Sequence, residues 1–346
     1  MTQPSMTQPR KRCVVLCPGR GSYSKETLGS LQTLLSPKLD AADTFRSALG
    51  RPTVREMDAS PKFRSSWHIA GENASCLTAG ASAADFDQIS SNLDIVGLCG
   101  NSMGWYTTLG LSGALPFNEM LRLIETMGQY QKRNILGGQI VYSLVDEQWR
   151  IDSNKVALVN NIVERTPDLY WSIHLGGQAV LGGTNEALNE AMELLPTVEG
   201  PRPFPFKLPL HSAFHTPLML ESHRQAVRDL NDLQIRTPSV PIVDGSGTIW
   251  RPQACSPASL LEYTLGTQVV EAYDFTAMIR STLTQLAPDH IILLGPGSNL
   301  GGAVAHVLIA EQWQGIQNKD DFIARQKESP FILAMGRSNQ RTLVTQ

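Results

Sequence analysis

The stretch Asp94-Ile95-Val96-Gly97-Leu98-Cys99-Gly100-Asn101-Ser102-Met103-Gly104-Trp105 decides the reading of this chain. Asp94–Cys99 is a short apolar run of the kind that forms a buried parallel strand. It runs directly into Gly100-Asn101-Ser102-Met103-Gly104, and Trp105–Ala114 continues with helix formers and small residues. A bare Gly-x-Ser-x-Gly match arises often by chance. Between a strand and a helix it predicts a nucleophile elbow, in which a sharp turn holds the serine in a strained backbone conformation. The glycines are needed because side chains at those positions would collide with their neighbours. The serine then lies at a helix N-terminus, where unpaired N–H groups favour a developing negative charge.

The same strand–turn–helix unit recurs outward from this stretch. Cys13–Cys17 is apolar and ends at Pro18-Gly19-Arg20-Gly21-Ser22, whose backbone N–H groups suit an anion or oxyanion. Val240–Val243 ends at Asp244-Gly245-Ser246-Gly247, and His290–Leu294 ends at Gly295-Pro296-Gly297. Helical segments follow at Ser256–Leu265 and Leu300–Gln312. Together these predict a parallel α/β sheet with its loops at one edge. Helical periodicity is also read over Lys25–Leu35 and Ala41–Leu49, with Arg51–Trp67 irregular or short-helical. Gly295-x-Gly297 lacks the third glycine and the acid of a dinucleotide site.

Between the two halves the pattern changes. Ile140–Val145, Val156–Asn160, Leu169–His174 and Gln178–Leu181 read as strands, and Asn185–Leu195 reads as a helix. Strands and helices in so short a span predict a small inserted α+β subdomain. Beyond it lies Lys207-Leu208-Pro209-Leu210-His211-Ser212-Ala213-Phe214-His215-Thr216-Pro217. Two histidines four apart could form a metal face on a helix, but two prolines bracket this pair and no Glu follows His211. A neutral imidazole that accepts the serine proton fits better. Spacing alone does not choose between His211 and His215.

Composition bounds the rest. The 346 residues carry 29 Lys+Arg against 32 Asp+Glu, a net charge of −3, with 42% hydrophobic and 18% charged residues. That is a folded, soluble profile. The balance has no basic stripe, which argues against nucleic acid. No apolar run approaches the length of a membrane span. Five scattered cysteines predict reduced thiols in a cytoplasmic setting. Cys13 and Cys17 lack a second pair at zinc-site spacing, so no metal is expected. The polar start, with its repeated MTQP, reads as a loose tail.

Four blocks, in order, resemble the malonyl-CoA:acyl-carrier-protein transacylases and the acyltransferase domains of polyketide synthases. They are Leu16–Ser22, Gly100–Gly104, Ser212–Met219 and Leu294–Gly297. The helix Leu123–Gln129 and the segment Gly177–Gly183 fit as well. The resemblance implies a hydrolase-like α/β core over residues 13–135 and 211–346, with a ferredoxin-like subdomain over 136–210 and a flexible tail over 1–12. It implies Ser102 as nucleophile and His215 as base and then acid. The backbone N–H groups of Arg20 and Met103 would form the oxyanion hole. A backbone carbonyl, matched here to Thr264, would orient the histidine. The implied reaction is ping-pong: Ser102 takes an acyl group from acyl-CoA, then passes it to the thiol of an acyl carrier protein. It serves fatty acid or polyketide biosynthesis and needs no permanently bound cofactor.

Departures from the family pattern bear on the acyl group. The resemblance places Met127 where malonyl-specific members carry an arginine that pairs with the substrate carboxylate. Arg122 and Arg133 lie nearby but off register. The family's Thr-Gln-Pro-Ala stretch is matched by Thr78-Ala79-Gly80-Ala81, which puts Ala79 in the pocket beside Ala213 and Phe214. Asn101 replaces a histidine before the serine, and Arg20 replaces a glutamine in the first turn and brings a cation to the mouth of the site. The sequence is thus compatible with a malonyl-type substrate or, given Met127, an uncharged acyl group. A hydrolase that clears acyl groups from carrier proteins, and a non-catalytic scaffold, are the other function classes. A monomer is expected, since no apolar stripe or heptad calls for self-association.

Overall fold

The computed structural model describes residues 9–133, 136–200 and 202–346, with side chains other than those of 131–133. Most of the expected tail, residues 1–8, lies outside the described residues. Strand β1 begins at Lys11, two residues earlier than the apolar run suggests, and ends at Cys17. It lies parallel to β2 (Leu93–Gly100), the strand before the elbow. The fold is mixed α/β, with one mainly parallel sheet and a second, antiparallel one.

The first sheet adds β7 (Ile242–Val243), β8 (Ile249–Trp250), β9 (His290–Leu293) and β10 (Ile332–Ala334), in the order β10-β9-β1-β2-β7-β8. Every pairing is parallel except the β7–β8 edge. Cys13–Cys17 are fully buried, as a central strand covered on both faces requires. Even side chains of β1 (Val14, Leu16) join one core cluster, and odd ones (Cys13, Val15, Cys17) join another. Strand β7 is shorter than the run Val240–Val243 because Pro241 has no N–H to give a ladder. Its carbonyl accepts instead from Leu98 N at 3.0 Å.

The second sheet contains β3 (Gly138–Ser143), β4 (Leu169–Leu175), β5 (Gln178–Gly183) and β6 (Phe206–Lys207), ordered β4-β5-β3-β6 and antiparallel throughout. Its two faces have separate tasks. Ile140, Tyr142, Ala179 and Leu181 pack under the helices Ser153–Arg165 and Asn185–Leu194. Val141, Ile173 and Val180 point the other way, into the core shared with the first sheet. The functional pocket lies between these two layers.

Two local expectations are corrected. Val156–Asn160 is part of the helix Ser153–Arg165, not a strand. The Asp152 side chain caps it by accepting from Asn154 N and Lys155 N, and Val159 and Ile162 bury one face at helical spacing. Lys25–Leu35 contains only the short turn Lys25–Thr27. The buried Asp58 carboxylate accepts from Gly29 N and Leu31 N, and that satisfies this backbone without a helix.

Candidate active site

Strand β2 ends at Gly100, and the helix Gly104–Leu111 begins four residues later. The turn is fixed to β1 by Asn101 N donating to Cys17 O at 2.9 Å, and is closed by Gly104 N donating to Asn101 O at 2.8 Å. Both glycines are dictated by contact. A Cβ on Gly100 would sit 2.2 Å from Gly104 O, and one on Gly104 would sit 2.3 Å from Cys17 O. Ser102 between them has φ +54°, the left-handed region that costs a non-glycine residue energy.

Ser102 Oγ lies 2.7 Å from His215 Nε2. His215 is buried, also at positive φ, and anchored on its far side. Its N–H donates to Val269 O at 3.0 Å, and its Nδ1 lies 2.6 Å from Gln268 O. A carbonyl can only accept, so Nδ1 carries the proton and Nε2 presents a lone pair to the serine hydroxyl. Burial pushes the imidazole down to about 4, with the Gln268 carbonyl opposing. The ring is therefore neutral at physiological pH.

The carbonyl that His215 Nδ1 meets is that of Gln268, not the expected one of Thr264. The helix Pro257–Leu265 stops at Gly266, and a new short helix, Thr267–Val270, places its terminal carbonyls toward His215. Thr264 is fully buried and committed elsewhere: its hydroxyl donates to Leu260 O at 2.7 Å and accepts from Trp105 Nε1 at 3.1 Å. The break at Gly266 is the sequence signal that displaces the register by four residues. Gln268 also reaches the elbow directly, with Nε2 donating to Ser102 O at 3.2 Å and Oε1 accepting from Tyr106 OH at 2.8 Å.

A cavity of about 300 Å³ opens at Ser102 and is lined by both layers of the fold. Arg20 and Met103 border it. Arg20 opens the turn Arg20–Ser22 and Met103 precedes the helix Gly104–Leu111, positions whose N–H groups have no acceptor within the helix. Met127, Asn101 and Phe214 line the cavity as expected, whereas Ala79 and Ala213 do not. Ala79 faces the core one helical turn beyond the residue of the helix Gly71–Phe86 that does reach the cavity, Ser75. Ala213 is fully buried, its N–H bonded to Leu136 O and its carbonyl to Thr216 Oγ1.

His211 also lines the cavity, but its Nδ1 faces Pro209 O at 2.9 Å. Burial, together with the nearby Arg20 charge, holds it down to about 3. Arg122 points away, bonded to Asp232 and Glu119 at the surface. The Arg133 side chain lies outside the described residues. Gln268, Ser75, Tyr106 and Arg202 also line the cavity, without a sequence motif to announce them. Among the described residues no cluster of side chains suits a metal ion, and no helix is long and apolar enough to cross a membrane. All five cysteines are free thiols.

No protein-family model matches the chain. Among curated proteins it is similar to the malonyl CoA-acyl carrier protein transacylase of Haemophilus influenzae, 22% identical over 315 residues, covering 86% of this chain and 93% of that protein. Its fold is similar to the malonyl CoA-acyl carrier protein transacylase of Coxiella burnetii, with a TM-score of 0.73 at 17% identity over 97% of both chains. A malonyl-transacylase solved in complex with a type II polyketide acyl-carrier protein gives a TM-score of 0.73 at 17% identity, covering 97% of this chain and 99% of that one. In sequence and in fold, the chain is thus similar to malonyl CoA-acyl carrier protein transacylases.

Proposed function

We propose that the chain is an S-acyltransferase that moves an acyl group from coenzyme A to the phosphopantetheine thiol of an acyl carrier protein through an acyl-Ser102 intermediate. The observation that carries this is the 2.7 Å contact between Ser102 Oγ and His215 Nε2 at the floor of a cavity. Catalysis resides in the body formed by residues 13–135 and 211–346, and the insert 136–210 supplies the opposite wall.

In the first half-reaction Ser102 Oγ attacks the thioester carbonyl while its proton passes to Nε2. The imidazolium that forms leans on the Gln268 carbonyl, a dipole rather than a charge. The N–H groups of Arg20 and Met103 receive the oxyanion. The C–S bond breaks, and the proton on Nε2 leaves with the coenzyme A thiol. In the second half-reaction the carrier thiol gives its proton to Nε2 and attacks the acyl ester, and Ser102 recovers its hydroxyl. Each half-reaction returns the histidine to the neutral tautomer that the Gln268 carbonyl holds.

The relatives' printed names, malonyl CoA-acyl carrier protein transacylase and a malonyl-transacylase in complex with an acyl-carrier protein, support this direction of transfer. Intact-mass spectrometry of the protein mixed with a panel of acyl-CoA thioesters tests the reading. One acyl group added to the wild type and none to Ser102→Ala supports it. A panel that leaves the wild type unmodified refutes it and favours a binding role.

A further inference from the structure

Arg20 is 6% exposed, yet its charge has no anion to meet. Nη2 donates to Leu210 O at 2.6 Å, and Nη1 is buried without a hydrogen-bond partner. Among the described residues no carboxylate lies within ion-pair distance of it. Glu72, on the helix behind, acts on it only through its field. A cation withdrawn from water and left without a counter-charge is costly, and folded chains seldom carry one without a function.

Its surroundings say what would relieve that cost. The cavity beside Ser102 is lined by two arginines and two histidines but by no Asp or Glu. Arg202 is exposed and stacked on the Phe206 ring at 3.5 Å, so Arg20 is the buried cation of the pair. His211 is kept neutral and offers no competing charge. The wall formed by Tyr106, Ile124, Met127 and Ile173 is apolar or neutral and holds no anion. Arg20, which lines the same cavity as Ser102, thus also brings the unmatched charge.

We propose that the Arg20 guanidinium is the specificity-determining group of this site, selecting acyl-CoA thioesters whose acyl chain carries a free carboxylate. The inference rests on the acyl-Ser102 reading above. A carboxylate can take a charge-assisted hydrogen bond from Nη1 while the thioester carbonyl lies at Ser102. The Nη2 bond to Leu210 O fixes the plane of the guanidinium before the substrate arrives. An uncharged acyl group would leave the cation as unsatisfied in the complex as it is in the free protein.

The test compares initial rates of Ser102 acylation by malonyl-CoA and acetyl-CoA, which carry identical coenzyme phosphates. The wild type is expected to favour malonyl-CoA at least tenfold. In Arg20→Gln that ratio falls at least tenfold, and Arg20→Lys retains part of it. A wild type without preference, or a ratio unmoved in Arg20→Gln, overturns the proposal. So does a parallel fall of both rates, which would place Arg20 on the coenzyme phosphates. Should Arg20→Gln not fold, Arg20→Lys decides: a malonyl-to-acetyl ratio below that of the wild type supports the proposal, and an unchanged ratio overturns it. Acylation of Ser102 by acetyl- and malonyl-CoA alike would sink this inference alone, whereas no acylation by any thioester sinks the acyltransferase reading with it.

Discussion

His215 Nδ1 lies 2.6 Å from the main-chain carbonyl oxygen of Gln268, so a neutral dipole holds the imidazole that faces Ser102. A carboxylate there would raise the basicity of the ring. A carbonyl fixes the tautomer but adds little charge, and burial then dominates and brings the imidazole down to about 4. The serine is thus paired with a weak base that rests neutral at physiological pH, which suits a thioester, whose thiolate leaves readily.

The pH dependence follows directly. Acylation requires the neutral ring, so its single-turnover rate should be level from neutral pH down to about 5 and fall only as pH approaches 4. Stopped-flow acylation across that range measures it. An inflection near the free imidazole value of about 6.5 would contradict a dry, carbonyl-held histidine.

Stability has its own pH signature. His215 and His211 both have folded values below the free imidazole, about 4 and about 3. Between those values and about 6.5 the unfolded chain binds the extra protons, so stability falls as pH drops through that window. Thermal unfolding at pH 7 and pH 5 should show a lower midpoint at pH 5. The difference should shrink in His211→Asn, and a midpoint independent of pH would contradict the assignment.

The two residues near the histidine separate in their effects. Thr264→Val strands the buried Trp105 indole N–H and should cost about 1–3 kcal/mol of stability with little change in acylation rate. Gln268→Ala keeps the carbonyl but removes the side-chain tie to Ser102 O and the partner of Tyr106 OH. It should slow acylation about tenfold while leaving the pH profile in place. Urea unfolding beside single-turnover kinetics distinguishes the pair. The reverse pattern would contradict a catalytic tie through the Gln268 side chain.

Behind the cavity, Glu125 is buried against Arg46 and Arg51 and accepts from the Cys76 thiol at 2.9 Å. Glu125→Gln would leave two cations against a neutral amide. Breaking a buried ionic network in this way costs about 3–5 kcal/mol. The denaturant midpoint should fall accordingly, and an unchanged midpoint would show that solvent reaches the network.

The elbow was legible because its constraints are local. Gly100, Ser102 and Gly104 are dictated by a turn of five residues, and the glycine contacts of 2.2 and 2.3 Å show why no other residue fits. The apolar strands β1 and β9 were legible for a similar reason, being covered on both faces. What pattern could not supply is set by tertiary contact. Val156–Asn160 has the composition of a strand, but its buried spacing and the Asp152 cap make it helical. Gln268 meets the imidazole through its main-chain carbonyl, so no side-chain motif marks that contact. Ser75 rather than Ala79 meets the cavity because a helix presents one face, and a one-turn error in register exchanges cavity for core.

Transfer through Ser102 requires an acyl ester that waits for its acceptor, and the fate of a preformed acyl-Ser102 decides whether it does. Protein loaded with one acyl group and freed of excess thioester is followed by intact mass, with and without holo acyl carrier protein. The prediction is a long-lived ester that empties only when the carrier is added, with the acyl group recovered on the carrier thiol. Release of free acid at the same rate in both samples would contradict it and make the chain a hydrolase.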